Sequence, residues 1–207
     1  MSASFVHRFE QGSGGSSVTL LLLHGTGGTE NDLIPLGKEL APGAALLSPR
    51  GQVLEHGMPR WFRRFAEGVF DVPDLIARSR DLTEFVADAA KQYNFDAARV
   101  VPVGYSNGAN IAASMLLLGS MKFPAAVLFR PMVPLVPEEE PDLSDTCVFI
   151  AAGRDDPLTS ALEIGKLVAL LEGAGATVDA RLENAGHNLT SGDIQAARRW
   201  LQNNFSK

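Results

Sequence analysis

The chain has 207 residues, 45% of them apolar, with a formal net charge of −6 and one cysteine, which suits a single domain (residues 1–207) with a sizeable core. The acidic balance argues against a general binder of nucleic acid or anionic membrane, and the lone Cys147 rules out an intrachain disulfide and reads as a small core residue. No apolar run is long enough for stable membrane insertion and residues 1–5 lack the features of a signal peptide, so the expectation is a cytoplasmic protein.

Residues 5–10 read as a short edge strand, and Gln11-Gly12-Ser13-Gly14-Gly15-Ser16-Ser17 as a flexible turn. Residues 18–23 are apolar without alternation, the pattern of a central strand covered by helices on both faces. They run into His24-Gly25-Thr26-Gly27-Gly28, a loop whose glycines let backbone N–H groups approach a ligand closely. His24 precedes the turn and reads as a packing and hydrogen-bonding prop for it. Asn31 or Asp32 is placed to cap a helix through Leu40, and residues 44–47 form another buried strand.

A long connection opens at Ser48-Pro49-Arg50-Gly51 and holds Arg60-Trp61-Phe62-Arg63-Arg64. Arginines interleaved with aromatics serve nucleic-acid binders, but the acidic whole argues against that here. Two readings stay open. One is an irregular surface loop with inward-packed aromatics and solvated arginines; the other is a pocket wall in which Arg60, Trp61 and Phe62 meet substrate. Three arginines cannot all sit unpaired in an apolar wall, so at most two point inward, with Glu55 or Glu67 neutralising the others.

Residues 71–93 carry apolar side chains at helical spacing, with Pro73 in the first turn. The strand at 100–103 leads into Gly104-Tyr105-Ser106-Asn107-Gly108 and then a helix-compatible run over 109–118. A G-x-S-x-G between strand and helix is a nucleophile elbow, in which a strained turn lifts Ser106 above the sheet edge. Residues two before and two after the serine crowd each other, and both are glycine. Thr26 and Asn107 are the expected N–H donors for an oxyanion.

A strand at 125–129, a proline-rich loop over 130–141 and an apolar strand at 147–150 follow. Helices at 158–171 and 193–205 flank the alternating strand at 177–182. The β/α alternation gives a mostly parallel sheet wrapped by helices, with no insertion large enough for a lid domain. A serine needs a base, and the base an orienting carboxylate, in the order Ser, Asp or Glu, His. Asp155 and Asp156 lie in the loop that leaves the apolar strand at 147–150, and His187 is the only histidine after Ser106. The histidines are scattered singly, so no metal-ligand cluster is read.

His24-Gly25-Thr26-Gly27-Gly28, Gly104-Tyr105-Ser106-Asn107-Gly108, Asp156-Pro157-Leu158 and Gly186-His187 together resemble the phospholipase/carboxylesterase family of α/β-hydrolases. That group also holds the acyl-protein thioesterases, and the similarity runs from about Val18 to Phe205. The resemblance implies an α/β-hydrolase fold and hydrolysis of small-molecule carboxylic esters or thioesters without metal or cofactor. It implies Ser106 as nucleophile, His187 as base and Asp156, directly before proline, as triad acid, with Asp155 a neighbour. The elbow reads Tyr-Ser-Asn where thioesterase-like members commonly have Phe-Ser-Gln, and residues 50–71 look like a bacterial carboxylesterase subgroup. The expectation is therefore a serine carboxylesterase acting on small or medium esters. Alternatives are a thioesterase or lactone hydrolase with the same triad, or a noncatalytic ligand-binding module of this fold. A homodimer stays open.

Overall fold

The computed structural model describes residues 4–13 and 18–205. The 14–17 part of the expected glycine/serine turn and residues 1–3 of the amino terminus lie outside the described residues. In chain order the elements are β1 (His7–Glu10), β2 (Thr19–Leu23), α1 (Ile34–Leu40), β3 (Ala45–Pro49), β4 (Val53–Glu55), β5 (Met58–Arg60), β6 (Arg64–Ala66) and β7 (Val69–Phe70). They continue with α2 (Val72–Tyr93), β8 (Val100–Tyr105), α3 (Asn107–Leu117), β9 (Ala125–Phe129), β10 (Cys147–Gly153), α4 (Ala161–Gly173), β11 (Thr177–Glu183) and α5 (Ser191–Phe205).

Seven strands form one sheet in the order β1-β3-β2-β8-β9-β10-β11. All neighbours pair in parallel except β1, which runs antiparallel to β3 at one edge. Helices cover both faces, so the central strands need apolar side chains on each. Leu21 and Leu23 of β2 point into a core shared with α2, α3 and α4, whereas Leu20 and Leu22 point into one shared with α1 and α5. The same division splits β10, with Val148, Ile150 and Ala152 on the first side and Phe149 and Ala151 on the second. Cys147, at the start of β10, is half-buried rather than fully enclosed and packs at the margin of the second core.

Two sequence expectations change. Neither Asn31 nor Asp32 caps α1, which begins at Ile34 with Leu33 at the cap position and no side-chain cap. Asp32 instead closes the preceding turn, its carboxylate accepting from Thr29 N and Thr29 Oγ1, both at 3.0 Å. The connection at 50–70 is not irregular: β4 pairs with β5 and β6 with β7 as two small antiparallel hairpins. Strands of two or three residues are too short to show a period-2 pattern. The first turn did leave a signal in Gly57, because His56 and Gly57 both adopt positive φ (52° and 81°), as a type I′ hairpin turn requires.

Parallel β/α units bring strand C-terminal ends to one edge of the sheet. The residues that follow β2, β8, β9, β10 and β11 therefore converge there, and the two hairpins lie beside them.

Candidate active site

The turn after β8 is built by exclusion. A Cβ on Gly104 would collide with the Gly108 carbonyl, and one on Gly108 with the Leu23 carbonyl of β2. Only glycine lets α3 start so close to the sheet. Between them Ser106 is held at φ 53°, ψ −118°, a conformation a non-glycine residue adopts at a cost of ~1–3 kcal/mol. Its N–H donates to Phe129 O at 2.9 Å, which locks the turn to β9.

The loop after β11 lays His187 across this turn. His187 Nε2 accepts from Ser106 Oγ at 2.9 Å, and Nδ1–H donates to Asp156 Oδ2 at 2.8 Å. Asp156 has a fully buried side chain whose Oδ1 accepts from Leu158 N at 2.9 Å, so both oxygens are engaged. Asp155 is exposed and contributes its backbone N–H to Ala185 O at 3.1 Å. Tyr105 O–H donates to His187 O at 3.2 Å, and burial pushes that phenol above its ordinary pKa.

Thr26 sits beside the serine in a loop tied down from three sides. Gly27 N donates to Pro59 O at 2.9 Å, and Gly28 N to Gly25 O at 3.0 Å. Arg60 Nη1 donates to Thr26 Oγ1 at 2.9 Å. His24 is buried at the base of the loop, with Nδ1–H donating to Gly25 O at 2.7 Å and Nε2 accepting from Gly51 N at 3.0 Å. Burial pushes His24 below the ordinary histidine pKa, which keeps Nε2 available as an acceptor. The Thr26 and Asn107 N–H groups make no backbone hydrogen bond among the described residues.

Two asparagines three residues apart on the first turn of α3 each hold one flanking segment. Asn107 Oδ1 accepts from Trp61 N at 2.8 Å, and Asn110 Oδ1 accepts from Met132 N at 2.7 Å. The cleft they border is also lined by Thr26, Ser106 and His187, by Phe70, Met132 and Leu158, and by Arg60, Glu67, Arg130 and Thr159. It is narrow, with about 20 Å³ open to the centres of water molecules, room for one or two.

Of the three residues expected to meet substrate, the structure brings only Arg60 to the cleft. Trp61 and Phe62 are 2% and 0% exposed and belong to the core beneath α2 and α3. Trp61 packs tilted against His24 with ring centroids 4.9 Å apart and donates Nε1–H to His24 O at 2.8 Å, so its polar edge is used internally. β5 ends at Arg60, whose side chain lines the cleft, while Trp61 and Phe62 follow the strand and turn into the core. Arg63 pairs outside with Asp71 at 3.0 Å, and Arg64 pairs with Glu55 at 2.9 Å and with Glu67.

Sequence reasoning missed Arg130. It follows β9 at φ 54°, and its side chain is wholly buried. Arg130 Nε donates to Gly186 O and Nη2 to Asn188 O, both at 3.0 Å, which clasps the carbonyls on either side of His187. Its charge is met by Asp193 of α5 at 2.7 Å. Asp193 also accepts from Thr190 N at 2.8 Å while Asp193 N donates to Thr190 Oγ1 at 3.1 Å. That is a reciprocal cap, and Thr190-x-x-Asp193 was its trace in the sequence. Among the described residues, no three His, Cys, Asp or Glu side chains group as they would around a metal ion, and no helix is long and apolar enough to cross a membrane.

A parallel sheet of this order, with a strained serine turn and a Ser106–His187–Asp156 chain of hydrogen bonds at its carboxyl edge, defines an α/β-hydrolase. Among curated proteins, hydrolase MhqD of Bacillus subtilis (strain 168) is 47% identical over 196 residues, covering 95% of this chain and 97% of that protein. The crystal structure of the Bacillus cereus carboxylesterase superposes with a TM-score of 0.95 at 49% identity, covering 98% of this chain and 96% of that one. YahD, in a structure with malic acid, gives a TM-score of 0.92 at 31% identity over 97% of this chain and 100% of that one. No family model matches the chain. The chain belongs to the phospholipase/carboxylesterase family of α/β-hydrolases, enzymes that hydrolyse carboxylic esters.

Proposed function

We propose that the protein is a serine carboxylesterase working through Ser106, His187 and Asp156 by way of an acyl-enzyme. Ser106 Oγ attacks the ester carbonyl carbon as its proton passes to His187 Nε2. The carbonyl π electrons move onto oxygen, and the N–H groups of Thr26 and Asn107 hold that oxyanion. Asp156 keeps the imidazole in the Nδ1–H tautomer and stabilises the imidazolium. The tetrahedral intermediate collapses, the carbon–oxygen bond to the alcohol breaks, and His187 returns its proton to the leaving oxygen. Water deprotonated by His187 then attacks the acyl-enzyme, and release of the acid restores Ser106.

The observation that carries the reading is the continuous pair of bonds from Ser106 Oγ to His187 Nε2 (2.9 Å) and from His187 Nδ1 to Asp156 Oδ2 (2.8 Å). The relatives named hydrolase and carboxylesterase at 47% and 49% identity support the reaction class. A cleft this narrow favours short or medium esters of small molecules. The test is a panel of p-nitrophenyl esters, acyl thioesters and lactones on purified protein. Turnover is expected on short-chain esters, with kcat/KM falling as the acyl chain lengthens. Turnover of thioesters or lactones alone would move the leaving group, and silence across the panel would leave a noncatalytic module.

A further inference from the structure

Arg60 is 2% exposed and its charge is poorly met. Its nearest carboxylate is Glu55 Oε2 at 3.4 Å, but Glu55 is gripped by Arg64 through both oxygens, at 3.0 and 2.9 Å. The remaining bonds of Arg60 are one from Nη1 to Thr26 Oγ1 and one at 3.4 Å from Nε to Phe62 O, both to neutral acceptors. Nη2 has no hydrogen-bond partner among the described residues, and the side chain lines the cleft beside Ser106. A guanidinium so enclosed, with only a shared carboxylate at 3.4 Å and one nitrogen free toward the cleft, is best completed by an anion entering that cleft. Burial and the neighbouring Arg64 both press its pKa downward, as expected for an under-compensated cation.

Two further polar groups wait in the same cleft. Asn107 is 3% exposed, and because Oδ1 accepts from Trp61 N, the amide orientation leaves Nδ2 as the free donor. Nδ2 is buried without a partner, and so is Thr159 Oγ1. The other cation of the lining, Arg130, has all three nitrogens engaged by Gly186, Asn188 and Asp193, and the cleft's Glu67 is turned to Arg64. The unengaged groups of Arg60 and Asn107 are donors, so the missing ligand atom is an anionic acceptor.

Resting on the esterase reading, we propose that Arg60 forms a carboxylate subsite beside Ser106, so that the preferred substrates are esters bearing a carboxylate within a few bonds of the scissile carbonyl. The narrow cleft sets that short distance. A guanidinium meets a carboxylate through paired N–H···O bonds, which neither lysine nor an amide reproduces.

The test compares isosteric pairs that differ only in charge, with released acid titrated at fixed pH. The acyl-side pair is methyl hydrogen succinate and methyl succinamate; the alcohol-side pair is O-butyrylglycolate and O-butyrylglycolamide. In one pair, kcat/KM for the carboxylate is expected to exceed the amide by about 10- to 100-fold, the range of a charge-assisted hydrogen bond. The pair that discriminates tells which side of the ester carries the charge. In Arg60→Gln the ratio falls toward one, and Arg60→Lys keeps only part of it. The ratio is the readout because Arg60 also steadies Thr26, so neutral esters slow as well. The Ki of succinate as a competitive inhibitor should rise about tenfold in Arg60→Gln. A ratio near one in both pairs for the native protein overturns the subsite, as does an unchanged ratio in both variants. If the amide-bearing esters turn over and only the discrimination is missing, the esterase reading stands; if no ester turns over, that reading falls first.

Discussion

Arg130 and Asp193 form an ion pair of 2.7 Å with neither side chain exposed, and Arg130 uses its other donors to hold the carbonyls flanking His187. The loop that carries His187 is therefore positioned by a buried cation that answers to α5. Arg130→Met would leave Asp193 buried and unmatched, which costs about 3–5 kcal/mol. Urea unfolding should show that loss. Asp193→Asn keeps an acceptor for Thr190 N but leaves the Arg130 charge unmatched, so it too should lose stability, and where it is folded it should lower kcat about tenfold or more with KM little changed. Wild-type kcat in both variants would mean the clasp is packing only.

The neighbouring aspartates separate cleanly in space. Asp156 is held between His187 and Leu158 N, while Asp155 is exposed. Asp156→Asn should cost about 10³–10⁴ in kcat through loss of tautomer control, and Asp155→Asn far less. Kinetics on a single p-nitrophenyl ester rank the two, and a reversed order would assign the acid to Asp155.

Phe62 sits at 0% exposure against Phe70, with ring centroids 5.2 Å apart, and makes no part of the cleft wall. Phe62→Ala should lose about 3–5 kcal/mol of stability by denaturant titration. A change confined to KM, with stability intact, would return it to substrate binding.

His24 ties the glycine loop at 25–28 to Gly51 only while its Nε2 is unprotonated. Burial holds its folded pKa below the ordinary 6.5, so between the folded value and 6.5 the unfolded chain binds the proton and the native chain does not. This contribution to stability is complete above the unfolded value and is lost as pH falls through that window. Urea midpoints should drop on acidification from 6.5, and His24→Gln should flatten that part of the profile. An identical pH profile in the variant would remove His24 as the cause.

The elbow could be read from sequence because steric exclusion writes itself locally: glycine at 104 and 108 around Ser106, with a strand before and a helix after. The layering was equally legible, since a strand buried on both faces must be apolar throughout, as Leu20 to Leu23 are. Arg130 and Asp193 stand 63 residues apart and meet only through tertiary packing, so nothing beside either announced the other. Trp61 and Phe62 misled for a related reason. Aromatic residues next to arginines fit a pocket wall or a core equally well, and only the tertiary packing around the bend after β5 sends Arg60 to the cleft and Trp61 and Phe62 to the core.

The central claim, that Ser106 is the nucleophile of an ester hydrolase, is tested most directly by intact-mass and peptide mass spectrometry after treatment with a fluorophosphonate probe. One adduct, on Ser106, is expected, together with loss of p-nitrophenyl ester hydrolysis. Ser106→Ala should fold normally, take no label and lose about 10⁴–10⁶ in kcat. Labelling of the alanine variant at the native rate, or esterase activity that survives the substitution, would contradict it.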